Sequence, residues 1–281
     1  MKASRSTRNA VATISRDLHA RGWVANHDGN VSVRDGAIFA ATPTATSKRL
    51  ITESDVIEVD AAGNVVGAGK VFGEIGLHLA VYQRRPDVGA VIHAHSPYAT
   101  AIAASGRNVI DEPFIAEAVV SLGARIPLIE YAQPGAPAVA ALAPWCEQVD
   151  AVLLGNHGVI TWGANLEQAL MRMELVEHLA RIAINAAPLG GVRSLPAAAI
   201  APLLAARSKA GLGRAADRAV LSYEAIRGST KLAAGAPVVA CAPAPHAAVV
   251  TISHGGAGRS GATPPLADLI REEIVRALGK S

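Results

Sequence analysis

The chain has 281 residues, long enough to bury one sizeable core with length to spare, and its 26 basic and 23 acidic residues leave a net charge of only +3. Those charges are scattered, so no basic stripe predicts a nucleic-acid partner, and no run approaches the roughly 20 apolar residues of a membrane span. Two cysteines, Cys146 and Cys241, are too few for a disulfide framework or a thiolate metal site, which fits a reducing, cytoplasmic setting.

Along the chain, Ala10, Val11, Ile14 and Leu18 fall at helical spacing and predict a first helix over residues 6–21, with Ser6 or Thr7 as its cap and Gly22 as its end. Residues 1–23 mix charged with apolar side chains and lack the apolar core of a secretory leader. Short β-type runs follow at 31–33, 37–40 and 56–59, divided by turn pairs such as Asp35-Gly36 and Gly63-Asn64. Residues 76–84 predict a helix, 88–95 a strand, and 97–104 a helix closed by Gly106. A strand over 151–154 turns at Gly155-Asn156-His157-Gly158 into a second at 159–162, and 166–187 is a long amphipathic helix. This interleaving predicts an α/β domain over residues 1–189, with a central, mostly antiparallel sheet flanked by helices. Residues 190–234 read as a helical extension with helices over 195–210 and 214–227. Residues 235–262, rich in Ala, Gly and Pro, read as a linker, and 263–281 as a C-terminal amphipathic helix.

The chemistry concentrates in the histidines. His93-Ala94-His95 lies in a strand-like run, where side chains alternate, so both imidazoles leave one face about 7 Å apart at Cα and can share one ion. His157 sits in a turn between glycines straight after an apolar strand, where the backbone can approach a crowded site. Three histidines with an open fourth position make a catalytic rather than a structural metal arrangement. His78 reads as a core histidine or one behind the ligands. His19, His27, His178, His246 and His254 belong to no constellation.

In order, Gly29-Asn30-Val31-Ser32-Val33-Arg34, Thr42-Pro43-Thr44, Glu74 followed by Leu77-His78, Arg85-Pro86-Asp87 leading to His93-Ala94-His95, and Asn156-His157-Gly158 resemble the class II aldolase/adducin family, the L-fuculose-phosphate aldolases in particular, over residues 6–187. The resemblance implies a three-layer α/β fold and Zn2+, or another divalent ion such as Mn2+, on His93, His95 and His157. It also implies that Glu74 is the acid/base and a ligand of the empty metal. The implied reaction is aldol cleavage of a ketose phosphate or related hydroxy-carbonyl compound through a metal-stabilised enediolate, in a homotetramer acting on a small molecule. For substrate it implies Gly29 and Asn30, then Thr44-Ala45 where the family has a hydroxyl residue and glycine, and Phe72-Gly73 where it has two serines. Two hydroxyl donors to a phosphate are thus absent, and residues 116–117 hold no tyrosine where the family's aldolases use one. These departures favour the alternative of a decarboxylase, or an epimerase, on the same fold, acting on a non-phosphorylated hydroxy or oxo acid. A non-catalytic, adducin-like assembly module is the remaining alternative, against which the intact histidines and Glu74 argue.

Near the C-terminus Leu266, Leu269, Ile270, Ile274, Ala277 and Leu278 share one helical face after Pro264-Pro265. A short amphipathic helix behind a linker resembles the encapsulation peptides of bacterial microcompartments. That likeness implies a shell protein or partner enzyme as its dock; the plain expectation is docking on its own subunit or a neighbour.

Overall fold

The computed structural model describes residues 2–213, all within one compact unit. Its elements run α1 (Arg5–Ala20), β1 (Asn30–Asp35), β2 (Ile38–Ala41), β3 (Ile57–Val59), α2 (Ile75–Arg84), β4 (Ala90–Ala94), α3 (Pro97–Ser105), α4 (Ala116–Leu122), β5 (Leu128–Ile129), α5 (Ala136–Leu142), β6 (Ala151–Leu154), β7 (Gly158–Gly163), α6 (Leu166–Ala186) and α7 (Ala197–Lys209). The strands form one sheet in the order β3-β2-β1-β4-β7-β6-β5, antiparallel throughout except where β5 joins β6 in parallel. The alternation of strand side chains sets the layers. Ala90, Ile92 and Ala94 pack on one face in a cluster that includes Leu18 of α1, Ile102 of α3 and Val176 of α6. Val91 and the strand neighbours Ile160 and Trp162 pack on the other with Leu77 of α2 and Leu142 of α5. The result is a mixed, three-layer α/β fold.

Most predicted elements occur within one or two residues of their expected bounds. The cap of α1 is neither Ser6 nor Thr7: Ser4 occupies the position, its hydroxyl accepting from the Thr7 N–H at 3.0 Å. The strand expected to include His95 stops at Ala94. Residues 107–150, which carry no predicted element, hold α4, β5 and α5. Of the extension, α7 buries Ile200 against Val119 and Ala124. The helix expected over 214–227, the linker at 235–262 and the C-terminal helix at 263–281 lie outside the described residues. Among the described residues no helix is long and apolar enough to cross a membrane.

Candidate metal centre

Antiparallel register brings one end of each central strand to the same place. Asn30, the first residue of β1, faces His93 near the end of β4, and Ala94 faces Val159 near the start of β7, so the turn holding His157 reaches the same edge. Glu74 arrives there as the residue immediately before α2. Close approach is built into the backbone. A Cβ at Gly158 would lie 2.5 Å from the Ala94 carbonyl oxygen and 2.8 Å from the His95 ring, so only glycine fits beside the two histidines.

His93, His95 and His157 present nitrogens that all lie within 4.8 Å of one another. The His93 Nε2 and His95 Nε2 atoms are 3.2 Å apart. Their opposite ring nitrogens are committed: His93 Nδ1 donates to the Val159 carbonyl at 3.0 Å, and His95 Nδ1 donates to Asp28 Oδ2 at 2.9 Å. Both partners can only accept, so the proton sits on Nδ1 in each ring and both Nε2 atoms carry lone pairs. Two lone pairs facing each other at this distance repel unless a cation lies between them. Zinc–nitrogen bonds of about 2.0–2.1 Å in a tetrahedron set ligand atoms about 3.3 Å apart, close to the separation found. Burial, then His157 and His95, holds His93 well below the usual imidazole range. Burial also lowers His95 against the opposing pull of Asp28. Neutral imidazoles are the ligand form, so the donor set fits a divalent cation.

Glu74 completes the cluster. Its Oε1 lies 3.2 Å from His157 Nε2 and its Oε2 lies 3.7 Å from His93 Nε2. The Asn30 amide donates to Oε2 at 3.2 Å, and the Asn30 carbonyl oxygen accepts from His78 Nε2 at 2.6 Å. His78 Nδ1 meets the Ser32 hydroxyl at 2.7 Å, and Tyr82 donates to the Ser32 carbonyl at 2.9 Å. Burial pushes His78 down to about 3, so it is a neutral link in a chain running from the core to Glu74.

The residues expected around the substrate are placed unevenly. Gly29 and Asn30 are at the centre, Asn30 with its carbonyl and one amide hydrogen engaged. Ala45 keeps the left-handed backbone, at φ +54°, that a glycine would adopt without strain. Phe72 is buried with its ring 4.9 Å from that of His78, so its side chain packs the core and leaves only its backbone toward Gly73. A Cβ at Gly73 would meet nothing within 4 Å. Asp28 was missed by sequence reading; the signal available was an acidic residue directly before the Gly29-Asn30 pair. Lys48 is buried, its amine 3.3 Å from the His27 carbonyl and 3.1 Å from that of Thr46.

Residues 9–184 match the sequence profile of the Class II Aldolase and Adducin N-terminal domain family. The L-fuculose phosphate aldolase of Methanococcus maripaludis strain S2 is 34% identical over 169 residues, spanning 60% of this chain and 91% of that protein. The 3-oxo-tetronate 4-phosphate decarboxylase of Haemophilus influenzae is 33% identical over 174 residues, spanning 60% of this chain and 82% of its own. A solved L-fuculose 1-phosphate aldolase superposes with a TM-score of 0.68 at 30% identity, over 74% of this chain and 98% of that one.

Proposed function

From the premise that this chain belongs to the class II aldolase/adducin family, we propose that it is a metal-dependent carbon–carbon lyase that cleaves a hydroxy-carbonyl substrate, a ketose phosphate or a close relative. The observation that carries the reading is the convergence of Glu74 on two of three imidazoles whose nitrogens lie within 4.8 Å of one another. An assembly module with no chemistry to perform has no use for that cluster. His93, His95 and His157 would hold Zn2+ or Mn2+. When bound, such an ion supplies Lewis acidity to the carbonyl and neighbouring hydroxyl oxygens of the substrate.

The chain's own residues do the rest. Glu74 is within hydrogen-bond reach of His157 and takes or returns the proton that moves when the carbon–carbon bond breaks. The Asn30 amide orients the Glu74 carboxylate and keeps a second N–H for the substrate. The loop carrying Thr44 and Ala45 and the open backbone at Gly73 are the remaining contacts proposed for the substrate's anionic end.

A decarboxylase is the second reading, in which carbon dioxide leaves in place of an aldehyde. Its support is the lack of a side-chain hydroxyl at Phe72-Gly73 together with the Haemophilus influenzae relative, nearly as similar as the aldolase. One experiment separates the readings. The purified protein is analysed for bound metal, stripped with a chelator, reloaded with Zn2+ or Mn2+, and assayed for aldehyde and carbon dioxide release across ketose phosphates and 3-oxo acids with and without phosphate. Metal-dependent aldehyde release is expected; carbon dioxide instead selects the second reading. A protein that takes up no metal and turns over neither class overturns both.

A further inference from the structure

We propose that Asp28 is a positioning residue of the metal centre, fixing the tautomer and angle of His95 so that Nε2 is offered as a ligand. The inference rests on the histidine cluster being the metal site.

The two carboxylate oxygens of Asp28 have separate tasks. Oδ1 accepts from the Ala25 N–H and closes a tight turn, in which the Asp28 N–H donates to the Ala25 carbonyl at 3.0 Å and Asn26 takes a left-handed φ of +48°. Oδ2 accepts from His95 Nδ1 at 2.9 Å. This second bond matters because His95 stands one residue past the end of β4, beyond the sheet that holds His93. The histidine is tied instead to the same 23–28 segment, its backbone N–H donating to the Trp23 carbonyl at 3.0 Å and its ring to Asp28. The His93 ring needs no such partner, since the Val159 carbonyl of the neighbouring strand fixes its Nδ1. Carboxylate partners behind metal-ligating histidines typically raise affinity by 10–100-fold. The Lys48 amine donates to the carbonyl of His27, the residue before Asp28, at 3.3 Å and to that of Thr46 at 3.1 Å. The turn that carries Asp28 is thus tied through Lys48 to the loop bearing Thr44 and Ala45.

Asp28→Asn separates the two tasks. Its carbonyl oxygen can still close the turn, while its NH2 group faces His95 Nδ1. To avoid two opposed donors the imidazole must move its proton to Nε2, which removes the lone pair the ion needs. Zinc affinity of the full-length protein is measured by competition with a chromogenic chelator, and the absorption spectrum of the Co2+-loaded protein is recorded. Asp28→Asn is expected to weaken zinc binding by about 10–100-fold and to change the cobalt spectrum. Asp28→Glu, which keeps an acceptor, should recover part of the loss. Unchanged affinity in Asp28→Asn overturns the proposal, and so does an equal loss in both variants, since damage to the turn alone would give it. His157→Ala is the control for the centre itself. If it binds zinc as tightly as the unsubstituted chain, the metal reading falls and this proposal with it; if it loses zinc while Asp28→Asn does not, only the role of Asp28 falls.

Discussion

At the scale of single residues, the roles at this site are set by what each polar atom already has as a partner. Glu74 accepts from Asn30 and reaches two imidazoles, so Glu74→Gln keeps the shape and removes the proposed proton carrier. Turnover is expected to fall by about 10²–10⁴ with zinc content unchanged, read from steady-state rates beside metal analysis. His78 has a different task. It is fully buried and held at about 3 by burial, against 6.5 in an unfolded chain, so in folded protein it stays neutral while the unfolded chain takes up a proton below pH 6.5. The unfolded state then binds more protons, and stability conferred by the neutral ring is fully present above 6.5 and lost as pH falls toward 3. His78→Gln, which cannot titrate, is expected to show a shallower fall in urea-unfolding stability between pH 6 and 4. A slope identical to that of the unsubstituted chain would remove His78 from the account.

At the scale of elements, the centre exists because three strand ends, a helix start and a β-turn meet. Gly158 is a tight joint between two of those strands. Gly158→Ala would push a methyl into the Ala94 carbonyl and the His95 ring, and overpacking of this kind costs about 1–3 kcal/mol. The expected result is a lower melting temperature and weaker zinc binding in the same variant; a lower melting temperature with zinc affinity intact would show that the strain relaxes away from the histidines. This joint was legible beforehand, since His93-Ala94-His95 and the glycine-flanked His157 announce close packing in the sequence. Elements with strong periodicity or clear punctuation, such as α6 and the Gly106 end of α3, were legible for the same reason. The segment with α4, β5 and α5 was not, because seven-residue helices and a two-residue parallel strand are too short to carry a period. Asp28 was missed for another reason: its acidic side chain before Gly29-Asn30 is visible in the sequence, but its partner depends on the turn that folds residues 23–28 onto His95.

At the scale of the whole described unit, α7 lies beyond the residues that match the family profile, yet a buried charge cluster ties it to the sheet. Asp150, just before β6, is 1% exposed and meets Arg85 at 3.0 Å, Arg172 at 2.9 Å and Arg207 of α7. Arg85 also forms a two-pronged pair with Asp87, so the Arg85-Pro86-Asp87 motif is a structural knot rather than part of the candidate metal centre. Burial, with Arg207 and Arg85 adding to it, pushes Arg172 down to about 10 against the pull of Asp150, which marks three guanidinium groups crowded around one carboxylate. The asymmetry predicts an order of effects. Asp150→Asn strips the shared partner and leaves three buried cations facing one another, a change in the class that costs about 3–5 kcal/mol. Arg207→Met removes one cation, frees the Val120 and Ser121 carbonyls it had capped, and relieves Arg172, while Asp150 keeps two partners. It should cost only about 1–3 kcal/mol, the usual penalty for buried acceptors left without a donor. For a unit of this size each kcal/mol corresponds to about 2–4 °C, so Asp150→Asn should melt several degrees below Arg207→Met in a calorimetric scan. The reverse order would mean that α7 is held chiefly by Arg207 itself and that the carboxylate is dispensable.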